Sequence, residues 1–297
     1  MTALRGRLRH NVDLNRLTSW RVGGPAKRLY EPADVEDLSE FLLSPEAVDP
    51  LLWLGLGSNV LIRDGGFAGS VIRLHRGLGS ITDLGLGRVK VGAGVPCARV
   101  ARWAGQRGLG GAEFLAGIPG TLGGALAMNA GAWGGETWPL VESVEVINRL
   151  GQRQQRTPMD YQVRYREVSG HADEWFTSAT LTLSTGADPL ALQNKVRELL
   201  TQRAETQPTG LASGGSVFRN PPGDHAARLI EAAGLKGTVI GGACISEKHA
   251  NFIVHEGDAS AADIEALIAL AQTTVKSRFG IDLVPEVRII GESVREH

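Results

Sequence analysis

Hydrophobic and polar positions recur along the chain with two periods, and their succession predicts a mixed α+β protein. Trp175-Phe-Thr-Ser-Ala-Thr-Leu-Thr-Leu183 alternates apolar with polar, the pattern of a strand with one face buried. Shorter apolar runs at Leu51–Leu54, Val60–Ile62, 70–74, 88–94 and 144–147 read as further strands. A 3.6-residue period replaces the twofold one after Asp34, where a cap residue precedes Val35, Leu38, Phe41 and Leu42. It returns from 97 to 106, with Val100, Trp103 and Ala104 apolar. Composition shifts near Ala187, and 189–207 reads as a helix whose stripe is Leu190, Leu192, Val196, Leu199 and Leu200. The last third holds a helix over 225–233 and strands at 238–240, 243–245 and 251–254. Ser260 and Asp263 there have capping-box spacing, ahead of Ile264, Leu267, Ile268, Ala271 and Val275 on one helical face. A final strand over 283–290 sets Glu286 in an apolar run. Residues 1–20 are polar and lead into a Gly23-Gly24-Pro25 turn.

Composition narrows the function classes. A chain of 297 residues with 42% hydrophobic and 21% charged residues is a soluble globular protein of two or three domains. A formal net charge of −1 gives no reason to expect nucleic acid or an anionic membrane as partner. Cys97 and Cys244 stand far apart with no metal-ligand spacing, as buried thiols of a reducing compartment would. No signal-like core opens the sequence and no run of about 18 apolar residues occurs, so a cytoplasmic location is expected. The 39 glycines are about twice the number that a usage of about 7% predicts, and they bunch in loops without a period.

The bunching marks candidate sites. The stretch 113–134, Glu-Phe-Leu-Ala-Gly-Ile-Pro-Gly-Thr-Leu-Gly-Gly-Ala-Leu-Ala-Met-Asn-Ala-Gly-Ala-Trp-Gly, has almost no charge, so main chain must form much of its surface. Glycine permits close backbone approach, and successive N–H groups cradle anionic oxygens, with Thr121 and Asn129 as side-chain donors. Tight turns between strands have the same composition. Gly55-Leu-Gly57-Ser58-Asn59 falls between two strands and suits a phosphate or a ring edge, or serves as a turn alone. It is not the dinucleotide fingerprint, since Val60 stands at the third glycine and a strand follows where a helix is required. No Gly-Lys-Ser/Thr P-loop occurs. Glu286 is the polar member of an edge strand beside Pro285 or, if buried, a carboxyl whose raised pKa suits proton handling. Ser216, in Ser-Gly-Gly-Ser, lacks the surroundings of a hydrolase nucleophile. Arg164 and Arg166 are solvated charge or a carboxylate clamp. His249 and His255 read as structural or solvent-facing rather than as metal ligands.

Six segments in order resemble the UDP-N-acetylenolpyruvoylglucosamine reductase family over nearly the whole chain. They are Gly55-Leu-Gly-Ser-Asn59, the glycine-rich 117–131, Tyr165-Arg166, Gly215-Ser-Val-Phe-Arg-Asn-Pro221, Ser246-Glu-Lys-His-Ala-Asn-Phe252 and Pro285-Glu-Val287. The resemblance implies an FAD-binding fold of the vanillyl-alcohol-oxidase (PCMH) type over 1–186, completed by a C-terminal strand at 283–291, and an α+β substrate-binding domain over 187–282. FAD would lie along Gly55, Gly57, Ser58, Asn59 and Leu61, and along Gly117, Ile118, Pro119, Gly120, Thr121, Gly123, Gly124, Ala125, Asn129, Ala130 and Gly131. NADPH would reduce the flavin, and UDP-N-acetylglucosamine enolpyruvate would then take the same cleft. By position Arg166, Ser216 and Glu286 match the family's catalytic residues: Ser216 the proton donor, the other two the groups at the substrate carboxylate. Arg219, Asn220, Lys248, His249 and Asn251 would bind substrate. Two residues separate Arg166 from Ser169 where the family has one, so Arg164 is a possible substitute. Arg219 stands where lysine is common. The three tyrosines, Tyr30, Tyr161 and Tyr165, all precede the substrate domain, which resembles the shorter form without a tyrosine-bearing lid. A second flavin oxidase or dehydrogenase of this fold, or a non-catalytic flavin or sugar-nucleotide binder, are the alternatives. The sequence leaves oligomeric state open, with a monomer favoured.

Overall fold

The computed structural model describes residues 4–294. Contacts divide the chain into two compact units: Met1–His10, Arg28–Leu56 and Gly69–Gln202, and Asn11–Lys27, Gly57–Ala68 and Arg203–His297. This grouping differs from a single cut at residue 186. Long-range strand pairing, which local composition does not register, draws 57–68 to the end of the chain.

The opening strands are β1 (Arg7–Asp13), β2 (Pro25–Glu31), β3 (Leu51–Leu54), β4 (Val60–Ile62) and β5 (Phe67–Arg73), with helix α1 (Val35–Leu43) between β2 and β3. A four-stranded sheet runs β1-β2-β5-β3, with β3 parallel to β5 and Leu51 opposite Ser70. Asp34 caps α1 by accepting from Asp37 N–H at 2.9 Å. The helix buries Leu38, Phe41 and Leu42 with Tyr30, Ile72 and Leu74, and Tyr30 stacks on Phe41 at 3.9 Å. β1 and β2 fall where the sequence reads as polar lead-in and turn. Their arginines and lysine sit on half-exposed faces, so no apolar period marks them.

A second core of the same unit lies under a five-stranded antiparallel sheet. Its parts are β6 (Ile81–Gly85), β7 (Arg88–Gly92), helices α2 (Cys97–Gly105) and α3 (Leu122–Ala127), and strands β8 (Gly131–Ala132), β9 (Gly135–Glu136), β10 (Val141–Asn148), β11 (Arg153–Arg156), β12 (Gln162–Arg164), β13 (Glu167–Ser169) and β14 (Glu174–Thr182). The sheet order is β11-β10-β14-β7-β6. Val89, Val91, Val144, Val146, Ala179 and Leu181 point from it into a core shared with α2 and α3. The glycines of 113–134 hide α3: poor helix formers occupy two of its six positions, yet Leu122 and Leu126 are fully buried.

The chain continues through α4 (Pro189–Thr206), β15 (Ala212–Ser213), α5 (Ala226–Ala232), β16 (Val239–Ile240), β17 (Ala243–Ile245), β18 (Ile253–His255), α6 (Ala261–Phe279) and β19 (Arg288–Ile290). Of the stripe expected on α4 only Leu199 is buried; Leu190 and Leu200 are 69% and 43% exposed. The second unit's sheet runs β15-β18-β17-β16. α6 lays Ile264, Leu267, Ile268, Ala271 and Val275 into the core with Leu229, Ile230, Ile245 and Ile253. Its capping box forms in both directions, Asp263 N–H to Ser260 Oγ at 3.1 Å and Ser260 N–H to Asp263 Oδ2 at 2.9 Å. Only 288–290 of the expected final strand is strand, parallel to β4 with Ile289 opposite Leu61. Pro285, which has no N–H to donate, makes a lone bridge to Phe218 instead. Among the described residues no helix is long and apolar enough to cross a membrane.

Candidate functional site

In the first unit the two glycine turns meet. A Cβ on Gly55 would overlap Thr121 Oγ1. Thr121 precedes α3 without capping it, so its hydroxyl stands between Gly55 and Gly124, whose own Cβ would find only that atom, at 3.9 Å. Leu122 and Gly123 N–H donate to the Val95 and Ala93 carbonyls at 2.8 and 2.9 Å, which docks α3 on the segment just after β7 and leaves the bare main chain of Gly124 facing outward. Gly117 is covered by the indole of Trp133, which a Cβ there would strike. Trp133 and Gly134 form the two-residue tip between β8 and β9, with φ of +50° and +80°. Ile118, Ala125 and Ala130 are buried apolar side chains, Pro119 is exposed and Gly120 accepts Cys97 N–H, so these residues present main chain rather than functional groups.

Asn129, predicted to face a ligand, organises protein. Its Nδ2 donates to Glu136 Oε2 at 3.0 Å and to the Arg164 carbonyl at 3.3 Å, and its Oδ1 accepts Trp138 N–H at 3.1 Å. It thereby ties the β12–β13 hairpin to the end of the glycine stretch. The hairpin's two-residue tip is Tyr165-Arg166, and Arg166 holds φ at +56°, a conformation that costs a non-glycine residue free energy. Arg166 donates from its guanidinium to the Gly131 carbonyl at 2.9 Å. Arg164, two residues earlier, is exposed and contributes its carbonyl to Asn129.

The turn 55–59 is divided between the units, Gly57, Ser58 and Asn59 belonging to the second. There Asn59 Nδ2 donates to the Glu286 carbonyl at 3.1 Å and the Asn59 carbonyl accepts Arg288 N–H at 3.1 Å. Glu286 N–H donates to the Val217 carbonyl at 2.7 Å, and Arg219 N–H to Val284 at 2.9 Å. Ser216 is half-buried directly before Val217, after Gly215 at φ +77°. Asn59, Ser216, Arg219 and half-buried Glu286 are thus laced together by main chain drawn from three distant segments. Leu61 is fully buried in the core beside them, and its main chain lies in the ladder with β19, opposite Ile289.

The remaining candidates have work inside the unit. Asn251, 4% exposed, clamps the serine loop: its carbonyl accepts Val217 N–H at 2.9 Å, its Oδ1 accepts Phe218 N–H at 2.9 Å and its Nδ2 donates to the Phe218 carbonyl at 2.8 Å. Asn220 Oδ1 accepts Ala226 N–H at 3.1 Å at the start of α5. Lys248 Nζ donates to the Ala204 carbonyl at 2.6 Å. Burial pushes the His249 imidazole below its ordinary pKa, so it is neutral near pH 7 and its Nδ1 accepts Asn251 N–H at 3.3 Å. Burial pushes the Cys97 thiol up to about 12 and raises Cys244 as well, which makes both poor nucleophiles. Among the described residues no three or more His, Cys, Asp or Glu side chains gather as metal ligands. Sequence reasoning missed Trp133 and Glu136. Both lie within or just past the glycine stretch, and their signal is an aromatic and an acid among small residues.

Comparison with known proteins bears on what these surfaces hold. A family described as an FAD binding domain matches residues 26–155, which include both glycine turns. Main chain kept bare at Gly55 and Gly124, with a threonine hydroxyl between them, fits a large anionic cofactor. The C-terminal domain of UDP-N-acetylenolpyruvoylglucosamine reductase matches residues 207–290. Proteins of that name from Alkalilimnicola ehrlichii and Legionella pneumophila (strain Corby) are 56% and 55% identical, over 97% and 99% of this chain and 96% and 95% of theirs. The crystal structure of the corresponding reductase from Thermus caldophilus superposes with a TM-score of 0.82 at 34% identity, covering 97% of this chain and 99% of that one. Identity at that level from end to end means that the chain belongs to the UDP-N-acetylenolpyruvoylglucosamine reductase family.

Proposed function

We propose that the protein reduces the enolpyruvyl group of UDP-N-acetylglucosamine enolpyruvate to the lactyl ether of UDP-N-acetylmuramate, with NADPH as electron source, in the cytoplasmic synthesis of peptidoglycan precursors. FAD, held by the 55–59 turn and the 117–131 stretch, would supply the redox chemistry that carries hydride from NADPH to the methylene carbon of the enol ether. The neighbouring carbon then needs one proton, and its carboxylate gathers negative charge. Ser216 supplies the proton from its hydroxyl. Serine is a weak acid, so the transfer needs a strongly basic carbon acceptor and a relay that restores the hydroxyl. Arg166 and Glu286 act at the carboxylate, polarising it and stabilising the charge that develops there. Stabilisation that appears only as charge develops lowers the barrier. Arg219, Lys248 and the 220–221 turn face the sugar diphosphate, and NADPH and sugar nucleotide use one cleft in turn.

The observation that supports this reading is the mesh of Asn59, Val217 and Glu286, in which the main chain of Glu286 and of the residue after Ser216 is tied to the turn assigned to the cofactor. The purified chain should show a flavin spectrum that NADPH bleaches and the enolpyruvyl substrate restores without oxygen. Recovery with oxygen alone would make it an oxidase instead. Ser216→Ala should leave bleaching by NADPH nearly intact and slow recovery by about a hundredfold or more, a loss typical of general acid catalysis. Equal losses in both half-reactions would remove the proton-donor role.

A further inference from the structure

Trp20 is among the largest wholly buried side chains of the protein, and it stands between the two halves of the second unit's site. Its six-membered ring lies on Gly214. A Cβ at that glycine would come within 2.5 Å of Cζ3, 2.7 Å of Cη2 and 2.8 Å of Cε3. The indole N–H donates to the Ile253 carbonyl at 2.9 Å, and the Trp20 carbonyl accepts from His255 Nε2. His255 Nδ1 accepts Gly257 N–H at 3.1 Å, so its two partners fix one neutral tautomer, with the proton on Nε2. His255 in turn pairs with Ala212 across β15 and β18, and β15 runs directly into Gly214, Gly215 and Ser216.

The residues just before Trp20 hold the other half. Ser19 donates to the Gly57 carbonyl from N–H at 3.0 Å and from Oγ at 3.3 Å. A Cβ on Gly57 would overlap the Leu17 carbonyl and stand 2.7 Å from Thr18 Cα. Segment 17–20 therefore grips the 57–59 turn at one end and the serine loop at the other. Arg21 follows at φ +57°, its N–H on the Thr18 carbonyl at 3.3 Å, which turns the chain sharply away.

We propose that Trp20 is a positioning residue that sets the Ser216 hydroxyl against the cofactor turn, so that proton delivery stays in register with hydride arrival. The proposal rests on the reading of Ser216 as proton donor. Trp20 touches neither substrate nor cofactor in this scheme; its ring sets how high the Gly214–Ser216 loop stands, and its carbonyl and N–H anchor that height to β18. Nothing in hydride transfer from NADPH depends on it.

The test uses the holoenzyme with Trp20→Phe, Gly214→Ala, their combination and Ser216→Ala. Stopped-flow absorbance follows flavin bleaching by NADPH and recovery by the enolpyruvyl sugar nucleotide, in H2O and D2O; FAD affinity is measured separately. Each single change at 20 or 214 should slow recovery about tenfold or more and raise its solvent isotope effect, with bleaching and FAD affinity within about twofold of wild type. Phenylalanine lacks the ring atoms that an alanine methyl would strike, so the double variant should recover to within about threefold of wild type, a non-additive result that unrelated structural damage does not produce. Gly214→Ala keeps the indole and its hydrogen-bonding groups, pressing on them only from the loop side, and carries the test if Trp20→Phe fails to fold. Wild-type recovery in both single variants while Ser216→Ala is slow would overturn the positioning role alone. Wild-type recovery in Ser216→Ala would overturn the proton-donor reading and the proposal with it.

Discussion

Gly55 and Thr121 approach so closely that a single methyl group separates an open cradle from a blocked one. Gly55→Ala should weaken FAD binding by an overpacking cost of about 1–3 kcal/mol, read as flavin lost on gel filtration and a higher FAD dissociation constant. The two arginines of the β12–β13 hairpin separate by experiment in the same way. Arg166 reaches the Gly131 carbonyl from a left-handed backbone, whereas Arg164 is exposed. Arg166→Lys keeps the charge and loses the planar fork, and should lower kcat/KM for the enolpyruvyl substrate by about tenfold or more, against little change for Arg164→Lys. Equal effects would dissolve the distinction. At this scale the sequence showed which residue types belong to the site but not where each amide points. Asn129 and Asn251 were legible as polar residues amid small or apolar ones. Their partners, Trp138 and Phe218 main chain among them, come from 9 and 33 residues away.

Among the elements, those with a complete helical period and a cap were readable in advance. α1 and α6 begin at Asp34 and Ser260 because each supplies the oxygen that the first turn lacks. α6 has a second cap from a distant loop: Asp64 accepts Ala261 and Ala262 N–H at 2.9 and 3.0 Å. Ser260→Ala and Asp64→Ala should each cost about 1 kcal/mol in urea unfolding, and the pair together should come close to their sum, because each covers donors the other leaves. β1 and β2 were not readable, since arginine stems on half-exposed strands carry no apolar period. Nor was the end of the last strand, where the apolar run 283–287 continues the pattern but Pro285 removes a ladder donor. α4 shows the opposite failure, a helix whose stripe is read in sequence but buried only at Leu199, with Leu192 and Val196 partly covered and Leu190 and Leu200 exposed.

For the molecule as a whole, acid stability follows from where its carboxylates sit. Burial alone would raise the Asp37 pKa, but the Tyr30 hydroxyl at 2.6 Å, Ala33 N–H at 2.8 Å and Arg5 N–H at 2.7 Å hold it below the ordinary value. A depressed folded-state pKa stabilises the protein above the unfolded value of about 3.9, and that contribution disappears as pH falls through the folded one. Asp37→Asn should therefore destabilise at pH 7 and narrow the stability gap between pH 7 and pH 3, measured by denaturant unfolding at each pH; an unchanged gap would place the acid response elsewhere. Assembly order is a further matter. Asn59 and Glu286 lie 227 residues apart. At ribosomal rates of about 5–20 residues per second, the first waits some tens of seconds for the second. The turn proposed to hold the cofactor is thus made early and completed last, by the returning end of the polypeptide. A nascent chain halted short of β19 should emerge with its turn unbraced and gain no flavin, however long the coenzyme is supplied.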